Sequence, residues 1–341
     1  MKNEAFVFMD LLQSYFTEYM PYTAGLSENT IRSYKYTFQL LFKYLHTEKK
    51  LPAEKVCFRL LDYDTIMGFL HWLETERRCA VSTRNQRLNS LSSFAEYAGT
   101  RNFEAVSVFM NSVKKIPAKK SLVKPRTIFT VDEVACLLRT PDTATELGRR
   151  DQMILSLMYA SGARAQEICD LRVRDVSFQR EATRLVLTGK GNKARRIIIA
   201  KPCAENLKKY IQWRGLTNQL EHHLFSSRTH EHMTVVCIEE LFRKYIHLAR
   251  SQNPTMFLEE KYTPHTMRHT CATHMLEAGV PIIAIKNFLG HASVMTTERY
   301  ADLSQSTVNR HIREWNDKWF REITPAPESK PVEARIPDFL R

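Results

Sequence analysis

The chain has 341 residues, more than one domain usually holds, so we expect two domains. Its formal net charge of +13 favours a polyanionic partner, although a basic solvated surface is the alternative on charge alone. No apolar run reaches the roughly 18 residues of a membrane helix, and the N-terminus lacks the pattern of a signal peptide. We therefore expect a cytoplasmic protein without a membrane span.

The N-terminal region, residues 7–110, has the apolar periodicity of short helices. Ser27 is the expected N-cap of a helix whose apolar residues recur at helical spacing. This stripe consists of Ile31, Tyr34, Phe38, Leu41, Phe42 and Leu45, and it excludes Arg32, Lys35 and Lys43. A second helix turns Ile66, Phe69, Leu70 and Leu73 inward. We expect the apolar faces of both helices to pack into one core.

A third helix begins near Ser82 and turns Leu88, Leu91 and Phe94 inward. Its other faces carry Arg84, Asn85 and Arg87, which we expect to be exposed. These side chains are candidate DNA contacts, and a merely solvated face is the alternative.

The segment 114–126 contains five lysines, one arginine and two prolines and has neither helical nor strand periodicity. It is typical of an extended basic linker. The spacing of Thr130 and Glu133 then predicts a capping box, so a second domain starts near residue 127. Helices are expected to about residue 171.

A hairpin is predicted next, with strands at 184–188 and 195–199 around a turn at 189–193. Helices resume through residue 321. The proline-rich segment 323–341 is expected to be a flexible tail.

The densest chemistry lies in a basic helix that Thr263 caps and Pro264 begins. His265 and Arg268 lie one turn apart on one face at its positive end, which is a typical phosphate site. Alone, this spacing is weak evidence, and it favours a structural or surface role over a catalytic one. The next helix, 282–289, is expected to close at Gly290.

The passage from His265 to Tyr300 resembles, almost position for position, the C-terminal signature of the tyrosine recombinase family, which includes phage integrases and Xer recombinases. The segment Ala160–Leu171 is similar to the one that carries the family's first catalytic arginine, here Arg164. The hairpin around Lys190 is similar to the family's lysine loop. Ser161 and Ala163 depart from the threonine and leucine that are common beside that arginine.

The resemblance implies a mainly α fold: a helical, SAM-like core-binding domain, followed by an α-rich catalytic domain with a small β-sheet. The expected bounds are 1–113 for the N-terminal domain, 114–126 for the linker, 127–322 for the catalytic domain and 323–341 for the tail. It also implies the catalytic roles. The expected catalytic residues are Arg164, Lys190, His265, Arg268, His291 and the nucleophile Tyr300.

These residue types suit strand exchange, which stores the energy of a phosphodiester in a protein–DNA bond. His265 is expected to take the phenolic proton of Tyr300, and Lys190 to protonate the leaving 5′-oxygen. Arg164 and Arg268 would hold the nonbridging oxygens, with a further hydrogen bond from His291. Singly, each of these side chains could instead be structural.

The resemblance further implies binding of double-stranded DNA and a homotetramer in the synaptic complex, or pairing with a related recombinase. Lys119, Lys120 and Lys124 are expected to contact the DNA backbone, while Arg84, Asn85 and Arg87 read bases. We expect no membrane partner and no cofactor. We also expect no metal, because the histidines lack a metal-binding arrangement. The helix from about Ser304 to Phe320 packs either on a neighbouring protomer or on its own domain.

The seven cysteines are spread singly, so we expect reduced thiols and neither a disulfide framework nor a zinc site. Within the family, the length beyond Tyr300 favours integration or excision of a mobile element in a bacterial, nucleoid-associated protein. The alternatives are Xer-type dimer resolution, a type IB-like topoisomerase, and a DNA-binding regulator on a disabled scaffold.

Overall fold

The structure is a computed structural model, and it describes residues 4–120, 126–189 and 193–290. This part of the chain is mainly helical, with a small antiparallel sheet. The chain divides into two compact units, residues 1–124 (unit 1) and 125–341 (unit 2). Within the described ranges, no helix is both long and apolar enough to cross a membrane.

The described part of unit 1 is built from α-helices. They are α1 (Glu4–Ser14), α2 (Glu28–Lys49), α3 (Tyr63–Thr75), α4 (Val81–Gly99) and α5 (Phe103–Lys115). A wider, π-helical stretch, Tyr15–Thr23, continues α1 and contains Pro21. Two short 3-10 turns, Ala53–Lys55 and Phe58–Leu60, lie between α2 and α3.

The predicted start and apolar face of α2 are confirmed. The Ser27 side chain accepts a hydrogen bond from the backbone N–H of Thr30, as an N-cap does. Phe38, Leu41 and Leu45 are buried, and the other members of the stripe pack against the same core. The apolar periodicity therefore identified which face of α2 supports unit 1.

The expected exposure of Arg84 and Arg87 on α4 is wrong. Both residues are buried, with 2% and 9% of their surface exposed. The Arg84 guanidinium donates to Asn85 Oδ1 and to the carbonyl oxygen of Pro117, at 3.0 and 3.1 Å. Arg87 donates to the carbonyl oxygen of Ser33 on α2, at 2.9 Å. Both arginines thus stabilise the packing of unit 1, and their role as DNA contacts stays a prediction.

Unit 1 also includes the first residues of the predicted linker. Helix α5 ends at Lys115, and Ile116 is buried in the core of unit 1. Asn85 holds the backbone of Lys119 through two hydrogen bonds, of 2.9 and 3.0 Å. The N-terminal part of the segment 114–126 is therefore ordered against unit 1 rather than extended freely.

The described part of unit 2 contains the remaining helices and the sheet. The helices are α6 (Val131–Arg139), α7 (Glu146–Ser161), α8 (Ala165–Asp170), α9 (Lys201–Trp213), α10 (Val235–Gln252), α11 (Pro264–Glu277) and α12 (Ile282–Leu289). The capping box predicted at Thr130 and Glu133 is present at the start of α6. Helix α7 packs against α9 and α11, so it forms the centre of the unit.

The sheet has three strands in the order β1 (Val176–Phe178), β2 (Thr183–Gly189) and β3 (Lys193–Ile199). The predicted hairpin is the antiparallel pair β2–β3, in which Gly189 lies opposite Lys193. The three-residue strand β1 was not predicted. Along β3, Ile197 and Ile199 are buried while Arg196 and Ile198 are exposed, so alternate side chains face the core.

Candidate active site

Helix α11 begins as the sequence predicts and presents its first turn to the site. Thr263 Oγ1 accepts a hydrogen bond from the backbone N–H of Thr266, at 3.3 Å, and Pro264 occupies the first turn. His265 and Arg268 follow within one turn, near the positive end of the helix dipole. This position favours an anionic group such as a phosphate.

Arg268 connects three segments of unit 2. Its residue surface is only 2% exposed, and its guanidinium donates to the carbonyl oxygen of Gly162 at 2.5 Å and to that of Leu289 at 2.6 Å. Gly162 ends α7 and Leu289 ends α12. The arginine thus fixes the ends of two helices relative to α11.

Gly162 is required by the turn between α7 and α8. Its φ of +56° lies in the left-handed region, and a Cβ at this position would lie 2.6 Å from Leu289 Cδ2. Both conditions disfavour a side chain at this position. The turn leads the chain directly from the end of α7 to Arg164.

Arg164 is held by the carboxylate of Glu167, three residues later. The backbone N–H of Arg164 donates to Glu167 Oε2 at 2.8 Å, and its Nη1 donates to Oε1 at 2.9 Å. Arg164 keeps 34% of its side chain exposed, whereas that of Glu167 is 2% exposed. Arg164 is therefore the arginine that an incoming phosphate reaches with less rearrangement than Arg268.

Burial alone would raise the pKa of Glu167, but hydrogen bonds from Arg195 and from the Arg164 backbone outweigh it and lower that pKa. The carboxylate is consequently ionised at neutral pH. Arg195 contributes two of the bonds, from Nη1 to Oε1 at 2.6 Å and from Nη2 to Oε2 at 2.9 Å. Its Nε donates to the carbonyl oxygen of Phe288 on α12, at 2.9 Å.

His265 lies in a positive electrostatic environment. The ring keeps contact with solvent, but the surrounding protein disfavours the imidazolium, and the charges of Arg268, Arg164 and Arg126 add to this effect. Together they lower the pKa of His265 below its ordinary value. A neutral imidazole is the form that can accept a proton, so the site prepares His265 to act as a base.

The structure brings together three of the predicted catalytic residues, Arg164, His265 and Arg268. Lys190, His291 and Tyr300 lie outside the described residues, as do Lys124 and the predicted C-terminal helix. The remaining predicted DNA contacts, Lys119 and Lys120, belong to unit 1 and are exposed. The Nζ of Lys119 pairs with Glu74, at 2.7 Å.

Two other histidines have polar partners within unit 2. His274 contacts the Tyr159 hydroxyl at 2.8 Å and the carbonyl oxygen of Phe129 at 3.1 Å. His232 pairs with Asp170 at 3.0 Å. In the part of the chain that the structure describes, no group of three or more His, Cys, Asp or Glu residues could hold a metal ion.

Sequence reasoning did not assign a role to Glu167 or Arg195. The spacing of Arg164 and Glu167 carries a signal, because an acidic side chain three residues into a helix often accepts from the backbone that precedes it. Arg195 carried none, since the sequence does not show which of two adjacent arginines on β3 faces inward. Both are central to the geometry of the site.

Two family models match the chain, one in each unit. The model of the phage integrase family matches residues 127–307, and that of the N-terminal SAM-like domain of phage integrases matches residues 11–114. The tyrosine recombinase XerC of Myxococcus xanthus is 30% identical over 288 residues, covering 82% of this chain and 89% of the relative. A Sinorhizobium fredii protein named as an integrase/recombinase, y4rC, is 32% identical over 292 residues, or 86% of each chain.

Solved structures share the fold at lower identity. The XerH recombinase bound to a palindromic difH substrate aligns with a TM-score of 0.67 at 18% identity, covering 92% of this chain and 89% of the other. The Tn1549 transposon integrase in complex with transposon right end DNA aligns with a TM-score of 0.70 at 14% identity, covering 93% and 99%.

Proposed function

The chain belongs to the phage integrase family, a family of tyrosine recombinases, and from this premise we propose that it cleaves and rejoins DNA through a covalent bond to Tyr300. The observation that supports this site most directly is the bond from Arg268 to the carbonyl oxygen of Gly162, because it joins the two motifs that carry the arginines. Arg164 lies two residues after Gly162, and His265 lies one turn before Arg268.

In the proposed reaction, the phenolic oxygen of Tyr300 attacks the phosphorus and displaces the 5′-oxygen. The products are a 3′-phosphotyrosine and a free 5′-hydroxyl, so the energy of the phosphodiester is kept for rejoining. The phenolic proton passes to His265, and Lys190 supplies the proton that the 5′-oxygen needs. Rejoining is the reverse of these transfers.

The arginines stabilise the charge that develops on the nonbridging oxygens. A guanidinium fork binds two oxygens at once, which a lysine cannot copy, and in a partly buried site such bonds are strengthened. His291 adds a hydrogen bond in the proposal. The steps use protein side chains alone, so we propose that activity persists in excess EDTA.

Double-stranded DNA is the proposed partner, and the net charge of +13 suits it. The XerH and Tn1549 integrase structures, of the same fold, contain DNA. We further propose a homotetramer, or a pair of related recombinases, in the synaptic complex. Mass measurement of the protein–DNA complex tests this assembly, and a stable complex of one protomer with two DNA sites would contradict it.

The first experiment is covalent capture. The full chain is incubated with fragmented host DNA in EDTA, denatured with detergent, and the DNA that stays attached is sequenced. Tyr300→Phe is compared with Tyr63→Phe, which changes an exposed tyrosine of unit 1 in the same way. We expect attachment at one recurrent sequence by the wild type and Tyr63→Phe, and none by Tyr300→Phe.

Attachment that survives in Tyr300→Phe would reject this nucleophile. A chain that binds the recurrent sequence but never attaches would favour the regulator, and relaxation of one duplex without exchange between two sites would favour a topoisomerase. The recovered sequence also tests the biological role. Mobile-element ends support the proposed integration or excision, whereas a single chromosomal site supports Xer-type dimer resolution, the role suggested by the likeness to XerC.

A further inference from the structure

Arg195 is an inward-facing arginine in which each of the three guanidinium nitrogens has a protein partner. It lies on the same face of β3 as the buried residues Ile197 and Ile199, and its side chain is 11% exposed. All three nitrogens of its guanidinium donate hydrogen bonds, two to Glu167 and one to the carbonyl oxygen of Phe288. Its place in the site is therefore to hold other groups, since no nitrogen is left without a protein partner.

Glu167 is the link between Arg195 and the reacting centre. Each of its carboxylate oxygens accepts one bond from Arg195 and one from Arg164. The side chain is 2% exposed, so water does not replace a lost partner readily. A displacement of Arg195 would therefore move the carboxylate, and with it the guanidinium of Arg164.

Arg195 also fixes the end of α12. Its bond to Phe288 holds the last turn of this helix, and Gly290, with a φ of +67°, packs against it. A Cβ on Gly290 would lie 2.9 Å from Arg195 Cδ. In the sequence, His291 follows directly after this glycine.

We propose that Arg195 is a positioning residue for strand cleavage, which holds Arg164 through Glu167 and sets it in a fixed relation to the end of α12. This inference rests on the proposed function. It assigns to β3 a task beyond carrying Lys190 on its hairpin, because the strand supplies the group that aligns the phosphate-binding arginine.

Arg195→Lys is the informative variant. Lysine keeps the charge but lacks the planar fork that spans two carboxylate oxygens while a third nitrogen reaches Phe288. A misplacement of about 1 Å in a catalytic group costs on the order of 100-fold in rate, so we expect cleavage at saturating DNA to fall about 100-fold. DNA affinity should stay within about 3-fold, because Arg195 is engaged inside the protein.

Arg196→Lys is the matched control. Arg196 is the next residue on β3, lies on its opposite face and is exposed. The same chemical change there leaves Glu167 and Phe288 with their partners. We expect its cleavage rate to stay within about 2-fold of the wild type.

The decisive readout compares two substrates with one protein preparation. Both carry the sequence recovered by covalent capture, one with a phosphodiester and one with a methylphosphonate of both configurations at the cleaved position. The methylphosphonate lacks the negative charge that Arg164 stabilises, so a defect in aiming Arg164 should matter much less. We expect the 100-fold defect of Arg195→Lys to shrink to within about 5-fold, as it should for Arg164→Lys.

The ratio of the two rates does not depend on the fraction of folded protein. An equal defect on both substrates would overturn the proposal, because it would show a general loss of structure. A normal rate on the phosphodiester would overturn it as well. If the wild type forms no adduct on either substrate, the proposed nucleophile fails too, whereas failure of Arg195 alone leaves wild-type cleavage intact.

Discussion

Arg268 donates a hydrogen bond to the carbonyl oxygen of Gly162, a residue 106 positions earlier in the chain. Gly162 ends α7, and the left-handed turn that it makes sets the direction of the chain into Arg164. The position of one candidate catalytic arginine is thus fixed by the other. Changes at this turn should therefore affect the geometry of the site as well as stability.

Gly162→Ala tests this coupling. The new Cβ meets both a left-handed φ and a contact of 2.6 Å with Leu289, which should destabilise unit 2 by about 2–4 kcal/mol and lower the cleavage rate of the protein that remains folded. Gly215→Ala is the control, since its φ is +68° but nothing lies within 4 Å of its Cβ. It should cost only about 1–2 kcal/mol. Thermal unfolding and single-turnover cleavage measure the two effects, and equal losses in both variants would contradict the role of the close contact.

Local signals in the sequence predicted much of this fold. The caps at Ser27, Thr130 and Thr263 mark helix starts that need no information from distant residues. The prediction that the arginines on α4 are exposed was wrong because of tertiary packing. Arg84 lies four residues before Leu88, so it continues the buried stripe and is covered by the segment at Pro117, while α2 covers Arg87.

The sequence predicted only part of the candidate site, because the rest depends on tertiary packing. Residue type and spacing identified Arg164, His265 and Arg268, but a buried carboxylate that joins two arginines depends on how the sheet packs on α8. Glu167 and Arg195 are 28 positions apart, and no periodicity in the sequence relates them. Only the three-dimensional arrangement shows which of Arg195 and Arg196 turns inward.

The lowered pKa of His265 predicts how cleavage depends on pH. The neutral imidazole is the base; it is present above the pKa and lost as pH falls through it. The quantity kcat/KM reports the ionisation of the free enzyme. As pH is lowered, we therefore expect kcat/KM to stay constant through pH 6.5, the ordinary pKa of histidine, and to decline only at a lower pH.

Arg126→Gln should move this acidic limb to higher pH, because the Arg126 charge is one of those that lower the pKa of His265. Arg139→Gln removes an equal charge from an exposed position on α6 and should leave the limb in place. The measurement is the initial rate of adduct formation at low DNA concentration across pH 5 to 8, a range chosen about the ordinary pKa. A limb above pH 6.5 in the wild type would argue against His265 as the base.

Lys190 is tested through the leaving group. Lys190→Ala should slow cleavage of an ordinary substrate by about 10²- to 10⁴-fold, because the departing 5′-oxygen lacks its proton donor. A 5′-thio substrate needs little protonation, so we expect the variant to cleave it at nearly the wild-type rate. Lys193→Ala, on the same hairpin, is the control. Because Lys193 is not the proposed acid, the 5′-thio substrate should not selectively speed this variant relative to the wild type. A slow Lys190→Ala reaction on both substrates would exclude this lysine as the acid.

Asn85 on α4 holds the backbone of Lys119, within the basic segment 114–126. Loss of the Asn85 side chain should release this part of the segment. Each of its two bonds to the Lys119 backbone contributes about 1 kcal/mol, so we expect Asn85→Ala to raise the rate of tryptic cleavage after Lys119 or Lys120 about 30-fold. Asn89→Ala, one turn further along α4 and exposed, should leave the rate unchanged. Digestion is followed by mass spectrometry under native conditions. The same rate in both variants would show that the two hydrogen bonds do not restrain this segment.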